Sequence, residues 1–378
     1  MAPSPTNESA LPMQQNSPLE PGATIGILGG GQLGRMLALA AYRLGFRVHA
    51  FCQHASEPLA QVTPQRTLAA FDDAAAQQDF AEQVDCITLE FENLPLASLE
   101  RLAHAKPLCP APAVLAVAQG RAQEKALVAQ LDKAASLAYR LVQDEAGLEA
   151  AMQELGLPLV VKTRQGGYDG KGQWRIRDRA EAAALWDSLG QSSLPQAPVQ
   201  HPLLAEPLID FAYETSALVA RNVSGETAVF PCVENQHEAG ILRRSLVPGR
   251  LSRSIEAQAQ ALAVKLAERL DLCGTLAVEY FVTPQGQLLF NEMAPRPHNS
   301  GHWTLDGCSV DQFEQHIRAI AGWPLRRPRL LAPTQMENLL GDAVLDPALR
   351  AQGNLQIYGK ADCREGRKMG HLNRLVRG

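Results

Sequence analysis

Hydrophobic residues at the start of the chain fall into short apolar runs separated by glycines and by one helical pattern. Residues 24–28 form an apolar run that predicts a buried strand, and the apolar side chains of residues 36–44 recur at the spacing of an amphipathic helix, which we expect Gly45 to end. Two further strands are predicted at residues 47–51 and 86–89. Strands that alternate with helices are typical of a parallel, doubly wound α/β sheet.

After about residue 125 the pattern changes to successive strands with few helices, which predicts an α+β domain with an antiparallel sheet. The predicted strands cover residues 159–161, 174–176, 203–205, 214–221 and 227–233. A long helix is predicted near residues 255–270. We therefore expect four segments, which are a disordered polar tail at 1–22, the doubly wound domain at 23–124, the α+β domain at 125–320 and a small C-terminal subdomain at 321–378.

Composition narrows the class of protein. The 378 residues are 46% hydrophobic and 20% charged, which is typical of a folded chain with more than one domain. The formal net charge of −5 disfavours general nucleic-acid binding, because neutralisation of phosphates supplies most of that affinity. No apolar run is long enough to span a bilayer, and the tail has five prolines and no Lys or Arg, unlike a secretory signal. We expect a cytoplasmic protein that binds neither nucleic acid nor membrane.

The seven cysteines are odd in number and scattered, and none forms a C-x-x-C pair. This spacing favours reduced thiols over a disulfide framework or a structural zinc site.

A first glycine loop at residues 29–34 fits the pattern G-x-G-x-x-G between a strand and a helix. A dinucleotide site would also need an acidic residue at the end of the second strand, but residues 51–54 contain no carboxylate. The loop is therefore interpreted either as a site for a phosphate or polar ligand or as a tight turn without a ligand. Glu90 and Glu92, at the end of the third strand, should lie beside it as ligand groups or as an acidic, solvated rim.

A second glycine loop follows Lys162, which comes directly after the apolar run 159–161. Four of the seven residues 166–172 are glycine, so the segment is suited to place backbone N–H groups along a polyphosphate, with Lys162 and Lys171 as cations. The spacing is not that of a P-loop. A plain hairpin connection is the alternative.

Two carboxylates are predicted to face each other across a β-hairpin. Residues 275–281 and 287–291 read as its strands, and a turn centred between Gln285 and Gly286 places Glu279 opposite Glu292. Directly opposed side chains have Cβ atoms about 4.5–5.5 Å apart, so the pair is unfavourable unless a cation lies between them. With Asn291 and phosphate oxygens, the pair would form a Mg²⁺ site; the alternative is two solvated carboxylates.

The polar residues after this hairpin are predicted to form a loop. His298 and His302 are not expected to form a metal pair, since Pro297 and Gly301 argue against the helix that such a pair needs. Near the end of the chain Arg364, Arg367 and Lys368 cluster, either as a solvated basic patch or as a phosphate clamp.

Together these features resemble the ATP-grasp superfamily and, within it, the family of 5-(carboxyamino)imidazole ribonucleotide synthases. The resemblance spans residues 24–373 and rests on residues 27–36, 166–173, 291–303 and 366–373. It implies an ATP-dependent ligase of purine biosynthesis, and a homodimer. The reaction would convert 5-aminoimidazole ribonucleotide, bicarbonate and MgATP to a carbamate, ADP and phosphate through carboxyphosphate.

The resemblance also implies roles for individual residues. Lys162 and Arg296 would be catalytic, Glu279 and Glu292 would hold Mg²⁺, Glu206 would hold the adenine, and Glu214 would take the ribose hydroxyls. The residues expected around ATP are Arg121, Lys162, Gly167, Tyr168, Asp169, Gly170, Lys171, Gly172, Gln173, Glu206, Pro207, Leu208, Ile209, Glu214, His237, Asn291 and Glu292. Those expected around the ribonucleotide are Gln32, Leu33, Glu90, Arg296, Lys360, Arg367 and Lys368.

Three other interpretations are alternatives to this one. Another ATP-grasp ligase, such as formate-dependent glycinamide ribonucleotide transformylase, would share the ATP site but not the loop 295–303. An NAD-dependent oxidoreductase is disfavoured by the missing carboxylate at residues 51–54, and a non-catalytic nucleotide-binding module is the third. Because the chain ends soon after Asn373, we expect its C-terminal subdomain to be shorter than in relatives.

Overall fold

The structure is a computed structural model that describes residues 17–166, 172–191 and 203–376. Within these residues the chain forms three β-sheets, of four, four and nine strands. None of the helices in the described part of the chain combines the length and apolar character needed to cross a membrane.

The N-terminal sheet is parallel, in the order β3-β2-β1-β4, as the alternation of strands and helices predicted. Its elements are β1 (Thr24–Leu28), α1 (Gln32–Arg43), β2 (Arg47–Cys52), β3 (Gln65–Leu68), α2 (Ala74–Glu82), β4 (Cys86–Leu89), α3 (Leu96–Ala105) and α4 (Pro112–Ala118). All five residues of β1 are buried, so its apolar run was a reliable signal. Strand β3 was not predicted, because this edge strand is largely exposed and has no apolar run.

A second, antiparallel sheet has the order β5-β8-β6-β7. Its strands and the helices around it are α5 (Arg121–Leu131), β5 (Arg140–Val142), α6 (Glu145–Leu155), β6 (Leu159–Thr163), β7 (Gln173–Ile176), α7 (Arg179–Gln191) and β8 (Leu203–Pro207). Strand β6 continues past the predicted end at residue 161, so Lys162 lies inside the strand rather than after it. The second glycine loop joins the antiparallel strands β6 and β7.

The large sheet is antiparallel, in the order β14-β13-β9-β11-β12-β15-β17-β16, with β10 on β9. Its strands and helices are β9 (Tyr213–Arg221), β10 (Thr227–Val229), β11 (Val233–Glu238), β12 (Ile241–Val247), α8 (Arg253–Arg269), β13 (Gly274–Val282), β14 (Leu288–Ala294), α9 (Thr304–Gly307), α10 (Gln312–Ile320), β15 (Thr334–Leu340), β16 (Asn354–Ile357) and β17 (Lys368–Leu375). The three C-terminal strands thus extend this sheet through the β12–β15 pairing.

Two expectations about element boundaries need correction. The strand predicted at 227–233 is two strands, β10 and β11, because Pro231 has no N–H to continue a ladder. The ordered chain also begins before residue 23, since Leu19 N donates to Ala321 O (2.9 Å) and Trp323 Nε1 donates to Leu19 O (2.8 Å). Residues 1–16, most of the tail predicted to be disordered, lie outside the described residues.

Candidate active site

All three sheets border one cleft of about 1190 Å³. Many of the residues expected at a site line this cleft. They are Gln32, Leu33, Glu90, Arg121, Lys162, Gln173, Glu206, Pro207, Leu208, Ile209, Glu214, His237, Glu279, Asn291, Glu292, Arg296 and Lys368. Gly167, Tyr168, Asp169, Gly170 and Lys171 lie outside the described residues. Gly172, Lys360 and Arg367 are described, but they are not among the residues that line the cleft.

A buried ion-pair group lies on the floor of the cleft. In the β6–β8 register Lys162 is opposite Leu204, so Glu206, two residues further on, is its diagonal neighbour on the same face. The ammonium of Lys162 contacts Glu206 Oε1, and Lys125 Nζ, from α5, lies 2.5 Å from Glu206 Oε2. All three side chains are almost completely buried. The Glu206 carboxylate is thus held between two ammonium groups.

The electrostatics of this group keep Glu206 charged. Burial by itself would raise the pKa of Glu206, but the charges of Lys162 and Lys125 outweigh burial and hold the pKa at about 2. Burial lowers the pKa of Lys162, with the attraction of Glu206 opposing it and the positive charges of Lys125 and Arg121 adding to it. Glu206 therefore remains a carboxylate at any physiological pH.

The β13–β14 hairpin places Glu279 directly opposite Glu292, as predicted. The turn is centred differently from the prediction. Near the turn, Val282 is opposite Leu288, which puts the centre on Gln285, and a bulge at Asn291 supplies the extra residue that restores the glutamate pair. Asn291 lines the cleft as a consequence.

The two glutamates have different neighbours. Glu292 Oε2 accepts from Arg121 Nη1 (3.1 Å), while Glu279 Oε1 lies 3.2 Å from His298 Nε2. Burial, together with the negative charge of Glu292, raises the pKa of Glu279 to about 7. In the protein alone, the two carboxylates repel each other, and a cation between them would relieve this repulsion.

Helix α5 contributes residues that the sequence interpretation missed. Arg121, Glu124, Lys125 and the fully buried Val128 lie at helical positions i, i+3, i+4 and i+7 and so share one face. Glu124 Oε1 accepts from Met293 N (3.2 Å) beside the glutamate pair, and burial raises the pKa of Glu124 to about 8, against the charge of Arg121. The sequence did contain a signal for these residues, because charged side chains occupy positions at which an amphipathic helix normally buries apolar ones.

Elsewhere in the cleft, Glu214 is paired with His237. Glu214 is opposite Asn235 in the β9–β11 register, and His237 follows two residues later, so His237 Nδ1 lies 2.6 Å from Glu214 Oε2. Burial would lower the pKa of His237, but the hydrogen bond to Glu214 and the charges of Glu279 and Glu214 raise it. Nearby, the rings of Phe211 and Phe281 stack with centroids 4.8 Å apart.

The first glycine loop binds a carboxylate of the protein itself. Gly31 N donates to Glu90 Oε1, and Gly34 N donates to Glu90 Oε2 at 2.8 Å. Gly29 has φ = +104°, and a Cβ there would lie 2.5 Å from Glu90 Cγ, so glycine is required for this close approach. Burial raises the pKa of Glu90, while the two amides oppose the rise. The amides at the start of α1 thus fix the carboxylate of Glu90, which lines the cleft.

Arg296 forms a fork with Glu92 between this loop and the hairpin. Arg296 Nη2 donates to Glu92 Oε1 at 2.9 Å, and Arg296 Nε donates to Glu92 Oε2. Although burial opposes ionisation of both groups, the pair lowers the pKa of Glu92 and raises that of Arg296. Arg296 is thus fixed at the wall of the cleft by a bidentate pair.

The C-terminal basic residues are arranged around β17. Lys368 lines the cleft, and Lys360 Nζ donates to its carbonyl oxygen (2.7 Å). Arg367 instead bonds to the carbonyl oxygen of Asp362 at 2.9 Å and to its Oδ2 at 3.2 Å, and Arg364 shares that carboxylate.

The two histidines after the hairpin have different surroundings. His298 lines the cleft, whereas His302 is buried against the His371 ring, with ring centroids 4.6 Å apart. Among the described residues, no three His, Cys, Asp or Glu side chains form a group that would hold a metal by themselves.

Comparison with known proteins agrees with this arrangement. Residues 22–119 match the family model of the ribonucleotide synthetase preATP-grasp domain, and residues 127–313 match that of the ATP-grasp domain. Residues 334–377 match the phosphoribosylaminoimidazole carboxylase C-terminal domain. The fold and the cleft therefore define an ATP-grasp protein, as the sequence resemblance predicted.

Similarity to individual proteins assigns the chain to a particular family within this superfamily. The chain is 44% identical to the N5-carboxyaminoimidazole ribonucleotide synthase of Bacillus subtilis (strain 168) over 93% of this chain and 91% of the relative. An ADP complex of an N5-carboxyaminoimidazole ribonucleotide synthetase superposes with a TM-score of 0.89 at 41% identity, covering 96% of this chain and 94% of the other. The Aspergillus clavatus N5-carboxyaminoimidazole synthase, in complex with ADP and 5-aminoimidazole ribonucleotide, gives a TM-score of 0.85 at 27% identity, with 94% of each chain covered. The chain belongs to the N5-carboxyaminoimidazole ribonucleotide synthase family.

Proposed function

We propose that this protein uses ATP to carboxylate the amine of 5-aminoimidazole ribonucleotide with bicarbonate, forming N5-carboxyaminoimidazole ribonucleotide, ADP and phosphate. One observation carries the proposal. A single cleft joins the buried Lys162–Glu206 pair, the opposed glutamates 279 and 292, and the Glu90 loop, in a chain that belongs to this synthase family. The cleft therefore offers cations for a polyphosphate at one end and a separate polar wall at the other.

ATP would lie between the two antiparallel sheets. Lys162 and Arg121 line the cleft and would neutralise phosphate oxygens with their charges, and Glu214 with His237 would bind the ribose hydroxyls. Phosphoryl transfer depends on positioning and charge neutralisation more than on covalent catalysis, and buried cations are effective because little water screens them. Glu206, which we expect at the adenine, lines the cleft and contacts two lysines, so it would also hold them in place.

The residues at the hairpin fit a divalent cation. Glu279 and Glu292 are hard oxygen ligands that repel each other without a cation, and burial beside Glu292 raises the pKa of Glu279 to about 7. Mg²⁺ is usually bound by one or two carboxylates completed by phosphate oxygens and water, so two protein carboxylates suffice. Glu279, Glu292 and the amide of Asn291 would hold Mg²⁺. It would neutralise charge on the phosphates.

The ribonucleotide would lie against the N-terminal sheet. Gln32, Leu33 and Glu90 line that wall, and Lys368 provides a positive charge for its phosphate. Bicarbonate oxygen would attack the γ-phosphorus of ATP, giving ADP and carboxyphosphate; the amine would then attack the carboxyl carbon, releasing phosphate. Arg296, fixed by Glu92, lines the same cleft and would bind the oxygens of bicarbonate. Holding the amine next to the short-lived intermediate supplies a high effective concentration.

The experiment that tests this function measures ADP release with each substrate omitted in turn. We expect ADP release to need both bicarbonate and 5-aminoimidazole ribonucleotide. Formate-dependent ADP release with glycinamide ribonucleotide in place of these substrates would contradict the proposal and favour the transformylase reaction. ATP binding without turnover would leave a nucleotide-binding module.

We also infer a homodimer in the cytoplasm. Support for the dimer is the family resemblance, and support for the compartment is the proposed reaction of purine biosynthesis. Light scattering would show a mass of about twice the 40.9 kDa chain; a monomer at every concentration would contradict the inference.

A further inference from the structure

The burial of Lys125 in the protein interior needs an explanation. Its side chain is almost completely buried, and its ammonium lies 2.5 Å from Glu206 Oε2. Unlike Lys162 and Glu206, it is not among the described residues that line the cleft. Burying an ammonium group is costly unless it is paired with an opposite charge, and packing alone would be satisfied by an apolar side chain.

We propose that Lys125 is a positioning residue that keeps Glu206 neutralised so that Lys162 can turn to the phosphates of ATP. The inference rests on the proposed binding of ATP in the cleft. Each oxygen of Glu206 has one ammonium partner, Lys162 on Oε1 and Lys125 on Oε2. When Lys162 donates to a phosphate, Lys125 remains on the carboxylate, and no buried negative charge is left without a partner.

Counting the charges supports this role. Two lysines share one glutamate, so Lys162 can move to a phosphate while Glu206 keeps Lys125 as its partner. Without Lys125, Lys162 and Glu206 form a neutral pair. ATP would then have to take Lys162 away from its only carboxylate partner in this group, which weakens binding.

Helix geometry explains why Lys125 can do this without touching the nucleotide. Arg121 is one turn earlier on the same face of α5 and reaches Glu292 across the cleft, whereas Lys125 reaches the β8 strand behind it. The same helix therefore supports both ends of the proposed phosphate site. Glu206 is the link between the helix and β6.

The test measures ATP affinity by calorimetry in the full-length protein, without bicarbonate or ribonucleotide. We expect Lys125→Met to weaken ATP binding by roughly tenfold or more, and Lys125→Arg to retain most of the affinity because it keeps the charge. Lys133→Met is the matched control, since that lysine is exposed just beyond the end of α5, and we expect it to bind like the wild type.

A double-variant cycle separates positioning from a merely structural role. In the Glu206→Gln background the carboxylate that Lys125 neutralises is gone, so adding Lys125→Met should change ATP affinity by less than about threefold. An equal loss in both backgrounds would overturn the inference. This comparison also remains informative if Lys125→Met alone folds poorly, because both of its members lack the buried carboxylate.

The outcomes distinguish this inference from the proposed function. Wild-type ATP affinity in Lys125→Met, together with normal ribonucleotide-dependent turnover, would overturn the role of Lys125 and leave the synthase reaction intact. Failure of the wild-type protein itself to bind ATP would overturn both.

Discussion

Glu206→Gln is the substitution whose effect can be worked out most fully from the structure. The change keeps the shape of the side chain but removes the charge that lies between Lys162 and Lys125. Those two ammonium groups hold the pKa of Glu206 at about 2, against 4.5 for an ordinary glutamate, and burial excludes the water that would screen them. A pKa lowered from 4.5 to about 2 corresponds to about 3 kcal/mol of folding stability at neutral pH.

The sign of the pH dependence follows from the lowered pKa. Glu206 contributes its full stabilisation above the unfolded-state pKa near 4.5, and this contribution is lost as the pH falls toward the folded-state pKa near 2. We therefore expect Glu206→Gln to lower the free energy of unfolding by about 3 kcal/mol at pH 7 and to differ less from the wild type at pH 3.

Urea titration followed by circular dichroism at the two pH values measures this difference. The control is Glu154→Gln, because the Glu154–Arg140 pair is solvent-exposed and should contribute less than about 1 kcal/mol. A Glu206→Gln protein within about 0.5 kcal/mol of the wild type at pH 7 would refute the reasoning, since the buried carboxylate would then contribute no net stability.

Three further predictions concern other parts of the cleft. Glu292→Gln should abolish Mg²⁺-dependent turnover while circular dichroism stays that of the wild type; full activity would remove the metal assignment. Lys368→Ala should raise the KM for the ribonucleotide by roughly tenfold with little change for ATP, measured by ADP release, and an ATP-specific defect would move Lys368 to the nucleotide end of the cleft. Glu214→Gln should lower the pKa of His237, measured by NMR titration, because the hydrogen bond and charge that raise it are removed; an unchanged pKa would show that Glu214 does not set it.

The fold was predictable where burial leaves a pattern in the sequence. Strands β1 and β4 are fully buried apolar runs, and both were predicted with their observed ends. Strand β3 was missed because an exposed edge strand has no such pattern. The division between β10 and β11 was missed because Pro231 interrupts a run that is otherwise typical of one strand.

The site was predictable where spacing alone determines proximity. Opposition of Glu279 and Glu292 follows from their positions in a hairpin. The turn is centred half a residue away from the predicted position, and the bulge at Asn291 restores the opposition of the two glutamates. No local sequence pattern reveals this bulge. Lys125 and Glu124 were missed for another reason. Their importance depends on which face of α5 packs against the cleft, and tertiary packing decides that.

The central claim is that bicarbonate carbon is transferred to the amine of 5-aminoimidazole ribonucleotide at the cost of ATP. Incubation of the purified protein with ¹³C-labelled bicarbonate, MgATP and the ribonucleotide, followed directly by ¹³C NMR, tests this claim. We expect a new carbamate carbon signal that needs ATP and grows in proportion to the ADP formed. ADP formation without any such signal would contradict it.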